Sequence, residues 1–165
     1  MRVFVGTDHA GLEFKDHLKA ALAAAGHDPV DCGAFEYDAQ DDYPPFCFEV
    51  GERVVTEPGS LGVVIGGSGN GEQMAANKVP GVRAALVWNT ATAELARQHN
   101  DANVVSIGAR QHSVEEATAL VLHFLATPFS EDERHVRRIG LIADYERDRH
   151  RPAGGLPTRS EVDAG

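Results

Sequence analysis

Short apolar runs alternate with longer amphipathic stretches along this chain. Val3–Val5 is β-branched and aromatic, ends at Gly6, and predicts a strand. Leu12–Ala25, rich in Ala, Leu and Lys and closed by Gly26, predicts a helix with a glycine stop. His27–Asp31 predicts a second strand, and Gly33–Pro45 a polar loop. Phe46–Thr56 predicts a helix that stops before Pro58-Gly59. Leu61–Ile65 is continuously apolar, as in a strand buried on both faces. A glycine loop, Gly66 to Gly71, leads into a helix over Glu72–Lys78. Val82–Trp88, Thr90–His99, Val104–Gly108 and Ser113–Ala126 continue as strand, helix, strand, helix. A charged helix is expected over Glu131–Arg149. Five strands alternating with helices predict an α/β fold: a three-layer α/β/α Rossmann-like sandwich with a five-stranded parallel sheet.

Length divides this pattern into one expected domain over residues 1–150. The last stretch, 151–165, has almost nothing to bury and is expected to be disordered. Fifteen Lys and Arg against 25 Asp and Glu leave a net charge of −10, which argues against nucleic acid and acidic membranes as partners. A local arginine cluster can still hold a small anion. No run is long enough to span a membrane, and the start is too soon interrupted by Asp8 for a signal peptide, so the expected location is the cytoplasm. Cys32 and Cys47 form no CxxC pair and read as reduced core residues.

Ligands of open α/β sheets bind at the carboxyl ends of the strands. Four glycines in six residues allow successive backbone N–H groups to face one point and form an anion hole; a tight turn is the plainer reading. The loop is neither a Walker A motif nor GxGxxG. Glu72 follows it, suited to complement a helix dipole or, beside an anion hole, to abstract a proton next to a carbonyl. Asp8-His9 after the first strand reads equally as a helix cap or as functional. His99 ends a helix, where the dipole favours an imidazolium. Arg134, His135, Arg137 and Arg138 suggest a phosphate clamp on the last helix, or a solvated basic face. No spacing supports a metal site.

Several motifs, in order, resemble the type B ribose-5-phosphate isomerases of the RpiB/LacAB sugar-phosphate isomerase family. They are Gly6-Thr7-Asp8-His9-Ala10-Gly11, Asp42-Tyr43-Pro44, Gly66 through Glu72, Ala75-Ala76-Asn77-Lys78, Pro80 through Ala84, His99-Asn100 and Gly108-Ala109-Arg110. Many members carry a cysteine base where this chain has Gly66; in the actinobacterial branch it resembles, a glutamate at the position of Glu72 takes that task. The resemblance implies interconversion of ribose 5-phosphate and ribulose 5-phosphate, a step of the pentose phosphate pathway, through a cis-enediolate. It implies Glu72 as base, Gly67, Gly69, Asn70 and Gly71 as the amide nest, and Ser68 assisting. It implies His99 for ring opening with Asp8 as its polar partner. His9, Arg110, Arg134, His135 and Arg138 would hold the phosphate, and Tyr43 and Asn100 would line the sugar pocket. It further implies strand order 2-1-3-5-4, no metal or organic cofactor, and a homodimer with active sites at the interface. The alternatives are another sugar phosphate (allose 6-phosphate, galactose 6-phosphate or a tetrulose phosphate), a non-catalytic phosphosugar-binding module and, more distantly, a nucleotide binder.

Overall fold

The structure is a computed structural model that describes residues 1–149. Its contacts separate two units, Met1–Ser130 and the stretch from Glu131 onward. The expected tail, 151–165, lies outside the described residues.

In the first unit the strands are β1 (Arg2–Thr7), β2 (Asp28–Asp31), β3 (Leu61–Gly66), β4 (Ala84–Leu86) and β5 (Val104–Gly108). All neighbours pair in parallel, in the order β2-β1-β3-β5-β4. The helices are α1 (Leu12–Ala24), α2 (Pro44–Thr56), α3 (Asn70–Ala76), α4 (Thr90–Asn100) and α5 (Val114–Ala126), with one 3-10 turn at His9–Gly11. The period of two along each strand divides the core. Val3, Val5, Val63, Ile65, Val105 and Ile107 face Leu18, Leu22, Ala93, Val121 and Phe124 of α1, α4 and α5. Phe4, Val64 and Val104 face Cys47, Val50, Val54, Ala75 and Ala76 of α2 and α3. Helices thus cover both sheet faces, the expected three-layer arrangement, and every residue of β3 is buried at the centre.

Element bounds differ from expectation where local chemistry competes. The fourth strand is three residues long, because Val82 closes a turn onto Val79 and the Arg83 N–H donates to Asn103 Oδ1 before pairing with β5 begins. α2 starts two residues early, with Pro44-Pro45 in its first turn, where the missing N–H costs nothing. α3 starts at Asn70, so Gly71 and Glu72 lie in its first turn.

The second unit contains α6 (Glu133–Asp148), bounded by Asp132 and by Arg149 in the left-handed region. Its basic groups pair locally: Arg134 and His135 each stand 3.8 Å from Asp132, and Arg147 bonds Asp144 and Asp148. No helix among the described residues is long and apolar enough to cross a membrane.

Candidate active site

β1 and β3 lie side by side at the point where the strand order reverses, and their carboxyl ends open onto the same space. Thr7 joins the two ends: its hydroxyl donates to Ile65 O at 2.9 Å. Asp8 follows and caps the 3-10 turn, accepting from the Ala10 N–H at 2.9 Å. The capping role is therefore real, and it leaves a buried carboxylate at the sheet edge.

The loop after β3 is held from below. Ser106, fully buried on β5, donates to Gly69 O at 2.7 Å. Gly69 has φ +81°, and a side chain there would meet Leu86 Cδ1 at 2.7 Å, so only glycine fits this turn. Ser68 Oγ accepts from the Asn70 backbone N–H and side-chain amide, which orients the loop's hydroxyl. Arg110 donates its N–H to Gly67 O, and its guanidinium lies beside Gly67. Tyr43 packs on Gly71: its ring atoms come within 2.7 Å of where a Cβ there would stand.

Glu72 occupies the centre. A Cβ on Gly66 would sit 1.8 Å from Glu72 Oε1, so the carboxylate fills the space that any side chain at 66 would need. Glycine at 66 is a steric condition for the glutamate. Burial pushes the Glu72 carboxyl above its ordinary range and the negative charge of Asp8 adds to this, while the backbone N–H groups of Glu72 and Gly69 oppose it. The thiols are unsuited to the same task. Burial pushes Cys47 up to about 12 and Cys32 up to about 11, far from the thiolate a base requires.

His9 lies at the rim with its ring nitrogen Nδ1 2.6 Å from Asp41. Asp8, His9 and Asp41 bring ligand-type atoms within 4.8 Å of one another, the one such group found among the described residues. His9 and Asp41 bond each other, and Asp8 accepts from the Ala10 N–H.

Asp8, His9, Tyr43, Gly67, Ser68, Gly69, Asn70, Gly71, Glu72 and Arg110 thus share the carboxyl edge. His99 and Asn100 do not. α4 runs back from the carboxyl edge to the start of β5, so both stand at the amino edge, where Asn100 O accepts from Arg83 Nε. Within one chain, His99 thus stands apart from Asp8 and the other strand-end residues. Arg134, His135 and Arg138 are on α6, in the second unit. Sequence reasoning missed three residues that shape the edge. Ser106 is legible as a lone hydroxyl in an apolar strand. Asp41 is hidden among Asp38 and Asp42, and Lys15 looks like any helix lysine.

Among the cavities of the described residues, a larger one, about 720 Å³, opens at the amino edge between Arg83, Arg97 and Asp101. The smaller, about 350 Å³, borders Ser68, Asn70, Trp88 and His112. The larger lies away from Glu72, and its arginines are already bonded to Asp101 and to backbone carbonyls.

Known proteins place this geometry. A family model described as ribose/galactose isomerase matches residues 3–142. Ribose-5-phosphate isomerase B of Mycolicibacterium paratuberculosis is 57% identical over 152 residues, covering 92% of this chain and 96% of the relative. Among solved structures, ribose-5-phosphate isomerase B from Mycoplasma genitalium with bound ribulose-5-phosphate superposes with a TM-score of 0.85 at 41% identity, covering 89% of this chain and 97% of that one. The type B ribose 5-phosphate isomerase of Trypanosoma cruzi gives a TM-score of 0.85 at 43% identity, covering 90% and 98%. With a family model matched over residues 3–142 and relatives of this identity and coverage, this chain belongs to the ribose/galactose isomerase family.

Proposed function

We propose that this protein interconverts ribose 5-phosphate and ribulose 5-phosphate, with Glu72 as the base. The observation that carries the reading is the Glu72 carboxylate, buried above Gly66 at the mouth of the glycine loop with its proton affinity raised. A base needs a proton affinity near the working pH, and burial beside Asp8 moves Glu72 in that direction.

The proton leaves C2 of the open-chain aldose for Glu72, and the electron pair left on carbon forms the enediolate. The negative oxygen is held by the amides of Gly67 to Gly71, with Ser68 assisting; the O2 hydroxyl proton passes to O1, and Glu72 returns its proton to C1 as the C2 carbonyl forms. His9 and Arg110 bind the phosphate, and Tyr43 and Asn100 line the sugar; Arg134, His135 and Arg138 of α6 carry the basic charge of a phosphate clamp. His99 opens the furanose ring, with Asp8 as its polar partner. His99 and Asn100 stand at the amino edge of their own sheet, which supports a homodimer with shared sites, in which a second copy of the chain brings them to Glu72. No metal or organic cofactor enters any step.

The test is to incubate the full chain with ribose 5-phosphate, allose 6-phosphate and galactose 6-phosphate, and to follow ketose formation. Ribulose 5-phosphate formed faster than either hexulose phosphate supports the reading. Faster conversion of a hexose phosphate moves the substrate, and binding without turnover leaves a phosphosugar-binding module.

A further inference from the structure

The loop between β2 and α2 contributes a residue that no motif singles out. The His9 backbone N–H donates to Asp41 at 3.2 Å (Oδ1) and 3.0 Å (Oδ2), and ring Nδ1 stands 2.6 Å from Oδ1. A carboxylate only accepts, so Nδ1 carries the hydrogen and Nε2 is the ring atom turned away from Asp41. Tyr37 meets the same ring edge-on, with centroids 5.9 Å apart. Both side chains are largely enclosed, at 23% exposure for His9 and 12% for Asp41. Main chain and ring of His9 are thus both tied to one carboxylate from a distant part of the sequence.

We propose that Asp41 is a positioning residue for substrate binding. It holds the His9 ring so that Nε2 meets the phosphate of the sugar. With phosphate bound, the ring donates from both nitrogens, Nδ1–H to Asp41 and Nε2–H to a phosphate oxygen, and each bond is charge-assisted. Without the carboxylate, the imidazole can turn or change tautomer, and the phosphate loses an oriented donor. The phosphate is remote from the reacting carbons and is held alike in ground and transition states, so the contribution is to binding. This inference rests on the sugar-phosphate reading above.

The experiment is a double-mutant cycle on the full chain, with ribose 5-phosphate as substrate and inorganic phosphate as competing ligand. Turnover by the wild type is measured first; a wild type inert toward every sugar phosphate overturns the functional reading and this inference with it. With an active wild type, Asp41→Asn is expected to raise KM and the inhibition constant for phosphate by about tenfold, with kcat within about twofold. Asp41→Glu, which keeps the carboxylate, recovers part of the loss. In a His9→Asn background, Asp41→Asn adds less than about twofold, because its effect runs through the ring. If Asp41→Asn does not fold, Asp41→Ser takes its place in the same cycle. Unchanged KM, a fall in kcat alone, or penalties that multiply in the double variant would overturn the assignment.

Discussion

Lys15 and Glu72 are both buried ionisable side chains, one under each face of the sheet, and their surroundings are opposite. Lys15 is 1% exposed, and its ammonium bonds Asp31 Oδ1 at 2.6 Å and Ala34 O, with the Phe35 ring 5.4 Å away. Asp31 in turn binds Lys19 and accepts the Gly33 N–H. Burial pushes Asp31 up, but the bonds from Lys15, Lys19 and Gly33 together hold it below its ordinary value. Glu72 is 5% exposed, and its nearest charge of consequence is the like charge of Asp8. A buried charge closed by partners secures structure. A buried charge set beside a like charge, at the edge where ligands enter, is held at a cost in stability.

The comparison breaks first at Lys15. Its removal leaves the Ala34 carbonyl without that donor and Asp31 short of one cation, so Lys15→Met is expected to cost about 3 kcal/mol, at the low end for breaking a buried pair because Lys19 remains. Urea unfolding checks this. Thr7 pairs with Gly33 and Ala34 on either side, so the loss also loosens the segment that leads to Asp41 and Tyr43.

Gly66 gives the next effect. A methyl group there competes with Glu72 Oε1 for the same space and must displace the carboxylate. Gly66→Ala is expected to lower kcat about a hundredfold, the scale of an ångström of misplacement, while the fold remains. Circular dichroism and steady-state rates on one preparation separate the two.

The smallest effect concerns pH, and the two sites have opposite signs. Asp31 has a depressed proton affinity when folded, so its contribution to stability is present above its ordinary value of 3.8 and is lost as pH falls through the folded value. Glu72 is raised when folded, so its contribution is present below its ordinary value of 4.5 and is lost as pH rises through the folded value. Glu72→Gln is therefore expected to raise Tm at about pH 8, and the gain disappears at about pH 4. Thermal melts at both pH values measure it.

Much of this was legible in the chain. The apolar runs give the strands because a sheet covered on both faces needs continuous hydrophobic segments, and Leu61–Ile65 is the clearest case. Four glycines followed by an acid mark the loop and Glu72. Chain order also determines that a residue just before a strand lies at the amino edge, which separates His99 from Glu72 in one chain. What stays hidden is pairing across distance. Nothing local distinguishes Asp41 from the acidic residues around it, or Lys15 from a solvent-facing lysine, until the loop folds back onto β1. The late start of the fourth strand likewise depends on Asn103, twenty residues away from Arg83.

The role proposed for the Glu72 carboxylate is to move hydrogen between carbons. Glu72→Gln keeps the side chain's shape and removes its ability to accept that proton. In deuterated water with ribose 5-phosphate, the account predicts that this variant binds inorganic phosphate as the wild type does, while ketose formation and deuterium entry at carbon both fall by about a thousandfold or more. Deuterium incorporation at a wild-type rate in Glu72→Gln would contradict it.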